Sequence, residues 1–393
     1  MEQVYKINHL SLNDSKSQFC LCYNNGIRTF TTENFIEKYC SDNLGSISLA
    51  NLVHELNMVV FVGSENNELY TSKKIVIYDL ITQKSIYSTR FQSEIKNLNI
   101  IDKYLFIGFE SEIKIFSLEK KDTIIPIKEI PLPECDKYEI WDKSSNKIIS
   151  LTKICLAYPF KEEICINSFI GNELNLERKK DIKSPSKKIQ NIFYVKKLNY
   201  FFIPDETAYY IYGFDPDEGK QKICLYRGKN PGIITSITLL NKNYVALNNL
   251  NRTIHIFNIG ENTNNYNLSN LIGGFFYGNY ISPFMRIKYC NIMKEKEGEF
   301  YESDFQKKGA LLSSEDDGID LNIISYNGYA IKLRINFLKK EFEVIEMEKY
   351  AQYKLNKNIE EESNDESNIF SSYNSIFESE KTNKNQEKFV VYQ

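Results

Sequence analysis

The sequence predicts an all-β, seven-bladed β-propeller, and three observations carry that expectation. Short runs rich in Val, Ile, Phe and Tyr recur as far as residue 337, each bounded by Asn, Asp, Gly, Ser or Lys clusters. Convincing amphipathic helices are absent between them. Length then discriminates among all-β folds. Some 350 residues of short strands exceed a single sandwich but suit about seven four-stranded blades of ~45 to 50 residues each.

Taken in order, the runs are MVVFVGS, KKIVIYDL, KYLFIGF, EIKIFSL, KICLAYPF, NIFYVKK, YYIYGF, YVALNN, TIHIFNI, NIISYNG and YAIKLRINF. Each has strand length and β-branched or aromatic content, with turn residues on both sides. Two segments depart from the pattern. Residues 260 to 283 begin polar and end in a Gly-flanked aromatic cluster, longer than an ordinary hairpin loop. From about Lys354 the chain is rich in Glu, Ser and Asn. The expected organisation is therefore a propeller over residues 1–350 and a disordered acidic tail over 354–393. KEKEGEFYESDFQKK, near residues 294 to 308, reads as a solvated loop.

Composition narrows the function classes. Of 393 residues, 42% are hydrophobic, enough to bury a large core. Lys and Arg (49) nearly balance Asp and Glu (52), so no general attraction to nucleic acid follows and any phosphate binding must be local. The N-terminus lacks a basic start before an apolar run, and no stretch reaches the ~18 apolar residues of a membrane span. A cytoplasmic address is the expectation. The eight cysteines form no C-x-x-C pair and the chain has three histidines, so no metal site or cofactor is expected. Cys20 and Cys22 read as two residues on one face of a strand. No G-x-S-x-G, P-loop or dinucleotide fingerprint occurs, and no enzymatic activity is expected.

Several of these segments together resemble a family. KKIVIYDL with FVGS upstream, RFQSEIKNLNIIDKYLFIGFESEIKIFSL, the Leu156-Ala157-Tyr158-Pro159 strand and NNGIRTF are similar to blades of the PROPPINs, the WIPI-type propellers of autophagy. The family's Phe-Arg-Arg-Gly hallmark and its Thr-x-His-x-Phe strand correspond here to LYRGKNPGIITSITLLNKNYVALNNLNRTIHIFNI, from Leu225 to Ile259. The resemblance covers residues 1 to about 340.

The resemblance implies a reader of phosphatidylinositol 3-phosphate, or of the 3,5-bisphosphate, that sits peripherally on autophagosomal, endosomal or vacuolar membranes. It implies a scaffold for an autophagy-type lipid-transfer or conjugation protein. The alternative is a propeller that has lost lipid binding and serves only protein interaction. A headgroup pocket needs a guanidinium fork, a second cation and several hydroxyl or amide donors. Matched residue by residue, Arg227 corresponds to the second arginine of the motif and is expected on an exposed rim. Ser236, Thr253 and His255 match the family's Ser and Thr-x-His, Asn248 and Asn249 stand where serines are usual, and Arg252 is an extra cation. A protonated His255 would make affinity rise as pH falls through about 6.5.

The family's other pocket is expected to be disabled. Tyr226 takes the place of the first arginine, Tyr210 that of a second, Thr207 alone keeps its hydroxyl, and no histidine lies between His54 and His255. One working pocket is expected. In the long loop, Leu271, Ile272, Phe275, Phe276 and Tyr277 match the family's bilayer-inserting segment. An apolar insertion would add the second signal that peripheral docking requires.

Overall fold

The computed structural model describes residues 6–350, apart from 54–56, 66, 120–122, 133–138, 143–152, 161, 172, 187–188, 261–270, 273–274, 277–279, 290, 293–309 and 315–317. The expected tail over 354–393 and the expected loop over 294–308 lie outside the described residues.

Seven four-stranded antiparallel sheets follow one another along the chain, together with a two-stranded hairpin that pairs Leu271–Ile272 with Phe275–Phe276. Blade one runs from Ile7 to Ser41, blade two from Ile47 to Arg90, blade three from Asn97 to Pro131 and blade four from Glu139 to Lys183. Blade five runs from Phe193 to Tyr226, blade six from Ile234 to Lys288 and blade seven from Ala310 to Lys349. Six blades follow strict chain order. Blade six takes Met285–Lys288 as its fourth strand, with the long insertion and the hairpin ahead of it. The first strand of every blade touches the first strand of the next, and blade seven touches blade one, which closes a ring. The predicted seven-bladed propeller is what forms.

Strand alternation explains why the ring is stable. Successive side chains point to opposite faces, so a strand sandwiched between two blades is apolar on both. Seven buried clusters result, one in each gap between neighbouring blades. Cys20 and Cys22 lie together in the gap between blades one and two, packed with Ile27 and Phe61. Fully burying each such side chain contributes roughly 1.5–3 kcal/mol. Fourth strands face water and are polar: Lys84–Arg90, Asn175–Lys183 and Glu341–Lys349 are mostly exposed or half-buried.

No strand is shared between the described ends of the ring, so side chains close it. Phe19 and Phe30 stack at 5.0 Å between ring centroids, and Tyr350 packs tilted against them at 5.5 and 5.6 Å. The Leu10 N–H donates to the Tyr326 hydroxyl at 3.2 Å, and Lys332 Nζ donates to the Glu33 carbonyl at 3.1 Å. In blade one, Gly26 is obligatory, because a Cβ there would lie 1.8 Å from the Ser41 carbonyl oxygen.

Candidate phosphate-binding cleft between blades five and six

Blade six is built from Ile234–Leu240, Tyr244–Asn249, Thr253–Asn258 and Met285–Lys288. Its register sorts the expected site residues by face. His255 sits opposite Leu247 and Arg286, and Thr253 opposite Asn249 and Lys288. These pairs share the face that looks toward blade five. Ser236 and Asn248 are paired with each other on the opposite face. There the Ser236 hydroxyl accepts from the Leu312 N–H at 3.0 Å, and Asn248 Nδ2 donates to Thr235 Oγ1 at 2.7 Å and to the Ala310 carbonyl at 3.1 Å. Both side chains thus hold blade seven against blade six. The structure does not bring them to Arg227 and His255: Asn248 lies between Leu247 and Asn249, so strand alternation turns it to the other face, and a register shift between Ile234 and Ser236 sets Ser236 opposite it.

Arg227 follows the last strand of blade five, Gln221–Tyr226. The next residue, Gly228, has φ +138°, a backbone conformation open to glycine and not to L side chains, which accounts for the Arg-Gly pair. The chain then turns back under Asn249: a Cβ on Gly232 would lie 2.6 Å from Asn249 Nδ2 and 3.0 Å from an Arg227 guanidinium nitrogen. Gln190 fastens this turn by donating to the carbonyls of Glu206 and Gly232 and accepting from the Ile234 N–H at 3.1 Å.

Arg227 is not on an exposed rim as expected. It is 4% exposed, with Nε donating to the Ala208 carbonyl at 2.7 Å and Nη2 to the Asn230 carbonyl. Burial pulls its pKa down, and the negative charge of Asp205 works against that. The physical reason is the turn just described, which wraps the guanidinium in backbone carbonyls. His255 is equally enclosed. Burial first, then the charges of Arg227 and Arg286, push its pKa down to about 3, so the imidazole is neutral across the physiological range. The expected rise in affinity through pH 6.5 does not fit a histidine so placed. Its Nδ1 is buried with no hydrogen-bond partner.

Arg286 was not singled out from the sequence. It stands across from His255 on the exposed edge of blade six, and one of its guanidinium nitrogens lies 3.5 Å from the Arg227 carbonyl oxygen. Its signal was the alternation in MRIK, where Arg286 and Lys288 share a face. Arg252 occupies the tight turn between the second and third strands with φ +62°, its N–H donating to the Asn249 carbonyl at 2.8 Å. Asn249, Thr253, His255, Arg286 and Lys288 thus share one face beside Arg227, and the charges of Arg227 and Arg286 both act on an imidazole whose Nδ1 is unpartnered.

The neighbouring position on blade five has the opposite character. Tyr210 and Tyr226 are cross-strand partners with rings 5.2 Å apart, and Tyr280 lies 4.8 Å from Tyr226 and 6.2 Å from Tyr210. Thr207 donates its hydroxyl to the Asp205 carboxylate at 3.0 Å, and that carboxylate also accepts the N–H groups of Thr207 and Tyr209. Rings and a carboxylate offer an anion little. Of the apolar loop, the backbone of Leu271–Ile272 and Phe275–Phe276 forms a short hairpin, while Tyr277 lies outside the described residues.

With this geometry, the chain matches solved propellers. A crystal structure of Kluyveromyces marxianus Hsv2 superposes with a TM-score of 0.65 at 12% identity, covering 88% of this chain and all of that one. The chain has the fold of Hsv2, a seven-bladed propeller. Kluyveromyces lactis Hsv2, solved with its complete loop 6CD, gives the same TM-score at 12% identity over 88% of this chain and 99% of that one. KlAtg21 in complex with the coiled coil of AgAtg16 superposes at 0.59 with 14% identity over 88% of this chain and 99% of that one. In sequence, SVP1-like protein 2 of Saccharomyces cerevisiae is 26% identical over 132 residues, 31% of this chain and 30% of the relative's length. The protein of the same name from Candida glabrata is 25% identical over 116 residues, 29% of this chain and 26% of the relative. No family model matches the chain. The resemblance read from the sequence thus holds at the level of the fold.

Proposed function

We propose that the chain is a PROPPIN-type reader of phosphatidylinositol 3-phosphate or the 3,5-bisphosphate, docking peripherally on endomembranes through one headgroup pocket. The observation that carries this reading is the buried imidazole of His255, unpartnered at Nδ1 and flanked by Arg227 and Arg286. The like charges of Arg227 and Arg286 disfavour one another, and a phosphate between them relieves that repulsion. Arg286 supplies the accessible guanidinium, and buried Arg227 fixes the cleft floor and the local field. Thr253, Asn249 and Lys288 supply further donors, and Arg252 at the cleft edge adds charge. Ser236 and Asn248 act through the blade-seven contact.

The loop of Leu271, Ile272, Phe275, Phe276 and Tyr277 supplies the apolar signal, because one headgroup pocket alone gives weak docking. The propeller of residues 1–350 is the docking unit. The KlAtg21 neighbour is solved with a coiled coil of AgAtg16, and a comparable autophagy-type partner is the scaffold role inferred here. Liposome flotation tests the reading. Wild-type protein is expected to float with vesicles containing phosphatidylinositol 3-phosphate and not with vesicles lacking it, and Arg286→Ala is expected to stay at the bottom of the gradient. Equal flotation on both vesicle types would remove the headgroup from the account. No flotation on either would favour the protein-scaffold alternative.

A further inference from the structure

The insertion of blade six does not return to the propeller through blade six alone. After it leaves the third strand, Thr253–Asn258, and before it enters the fourth, Met285–Lys288, it touches down on the outer edge of blade five. There Ile281 forms a parallel bridge with Leu225. The Ile281 N–H donates to the Cys224 carbonyl and the Tyr226 N–H to the Ile281 carbonyl, each at 2.9 Å. Ile281 is 5% exposed and packs in the core between blades five and six.

Beside this touchdown the three tyrosine rings meet. Tyr280, on the insertion, packs against Tyr226 and Tyr210 on blade five at centroid distances of 4.8 and 6.2 Å, within the range of favourable aromatic pairs. Burial first, then the neighbouring phenols, raises the pKa of Tyr210. The touchdown is also adjacent to the cleft, since Tyr226 precedes Arg227 and Ile281 precedes Arg286 by five positions.

We infer that Tyr210, Tyr226 and Tyr280 form an aromatic clamp that holds the return leg of the blade-six insertion on blade five, fixing where the apolar segment re-enters the propeller. The position that the family resemblance assigns to a cation is thus used here for a different purpose. Its service to membrane docking rests on the function proposed above; its existence does not. A clamped return leg shortens the free chain and limits the directions in which the apolar residues can reach, which lowers the ordering cost of insertion. Arg286 keeps its own support, because the Phe284 N–H donates to the Ile256 carbonyl at 2.7 Å and the fourth strand pairs with the third.

Hydrogen exchange at the Ile281 amide in the full-length protein tests the clamp. Tyr280→Ala, at a residue 48% exposed and therefore safe for the fold, is expected to speed that exchange about tenfold, with Tyr280→Phe near wild type. Tyr226→Arg is expected to act like Tyr280→Ala. Unchanged exchange in both variants would overturn the clamp. Flotation on phosphatidylinositol 3-phosphate vesicles then tests its service: Tyr280→Ala is expected to bind them about tenfold more weakly while its affinity for soluble inositol 1,3-bisphosphate stays the same. Undiminished flotation would refute that service. A wild-type protein that failed to float would reject the lipid reading, while exchange at Ile281 would still decide the clamp.

Discussion

His255 offers a measurement whose sign and size follow from the structure. Its pKa falls from 6.5 to about 3, chiefly through burial and further through Arg227 and Arg286. In the unfolded chain the imidazole regains its ordinary value, so below that pH the unfolded state takes up a proton that the folded state refuses. The stability associated with a neutral His255 is complete above pH 6.5 and is lost as pH falls toward 3. The loss amounts to at most about 1.4 kcal/mol per pH unit, or about 2 kcal/mol by pH 5. Urea denaturation at pH 7.5 and pH 5 measures it, with His255→Gln as the comparison because glutamine does not titrate. Wild type is expected to lose about 2 kcal/mol more than the variant over this interval. Equal losses, or an imidazole resonance titrating near 6.5, would show that His255 is solvated and that the cleft is not the closed site described.

Three further outcomes are expected. Arg227→Ala would leave the Ala208 and Asn230 carbonyls buried without their donor, costing about 2–4 kcal/mol in denaturation, whereas exposed Arg286→Ala would cost less than about 0.5 kcal/mol. Replacing Phe275 and Phe276 together by Ser is expected to weaken liposome binding at least tenfold, roughly the burial of one ring, with soluble headgroup affinity unchanged. Equal losses in both assays would mean that the loop supports the pocket. Truncation after Lys354 is expected to leave the melting temperature unchanged, since Glu341–Lys349 already completes blade seven and Tyr350 already packs on Phe19 and Phe30. A drop of several degrees would place the tail in the fold.

Much of the propeller was legible because its inner strands are apolar on both faces. Met58–Gly63 and Tyr104–Gly108 are buried throughout, and both stood out as continuous apolar runs. The fourth strands were not legible. Asn175–Lys183, with its NLERKKDIK sequence, is held by backbone pairing to Glu163–Ile170 and has no apolar face to announce it. NIFYVKK promised a longer strand than the structure shows: it ends at Val195 and passes into a short 3-10 turn at Lys196–Leu198.

The cleft was legible in part. Arg227 and His255 were found because their spacing matched a motif, and the structure sets both in one electrostatic environment. Ser236 and Asn248 were grouped with them by matching the family's serines, yet strand alternation turns Asn248, and a one-residue register shift turns Ser236, toward blade seven. Arg286 escaped because a long insertion separates it from the motif: the alternation in MRIK shows that Arg286 and Lys288 share a face, but only pairing with His255 shows which one. Tyr280 escaped for the same reason: its partners Tyr210 and Tyr226 lie on another blade.

Calorimetric titration of the full chain with soluble inositol 1,3-bisphosphate tests the central claim most directly, because it counts pockets without a bilayer. Asp205 and the three tyrosines stand at one position and two guanidiniums with His255 at the other, so saturation is expected at one headgroup per chain, lost in Arg286→Ala and retained in Tyr210→Phe. Two headgroups per chain, or one that survives Arg286→Ala, would contradict a single cleft between blades five and six.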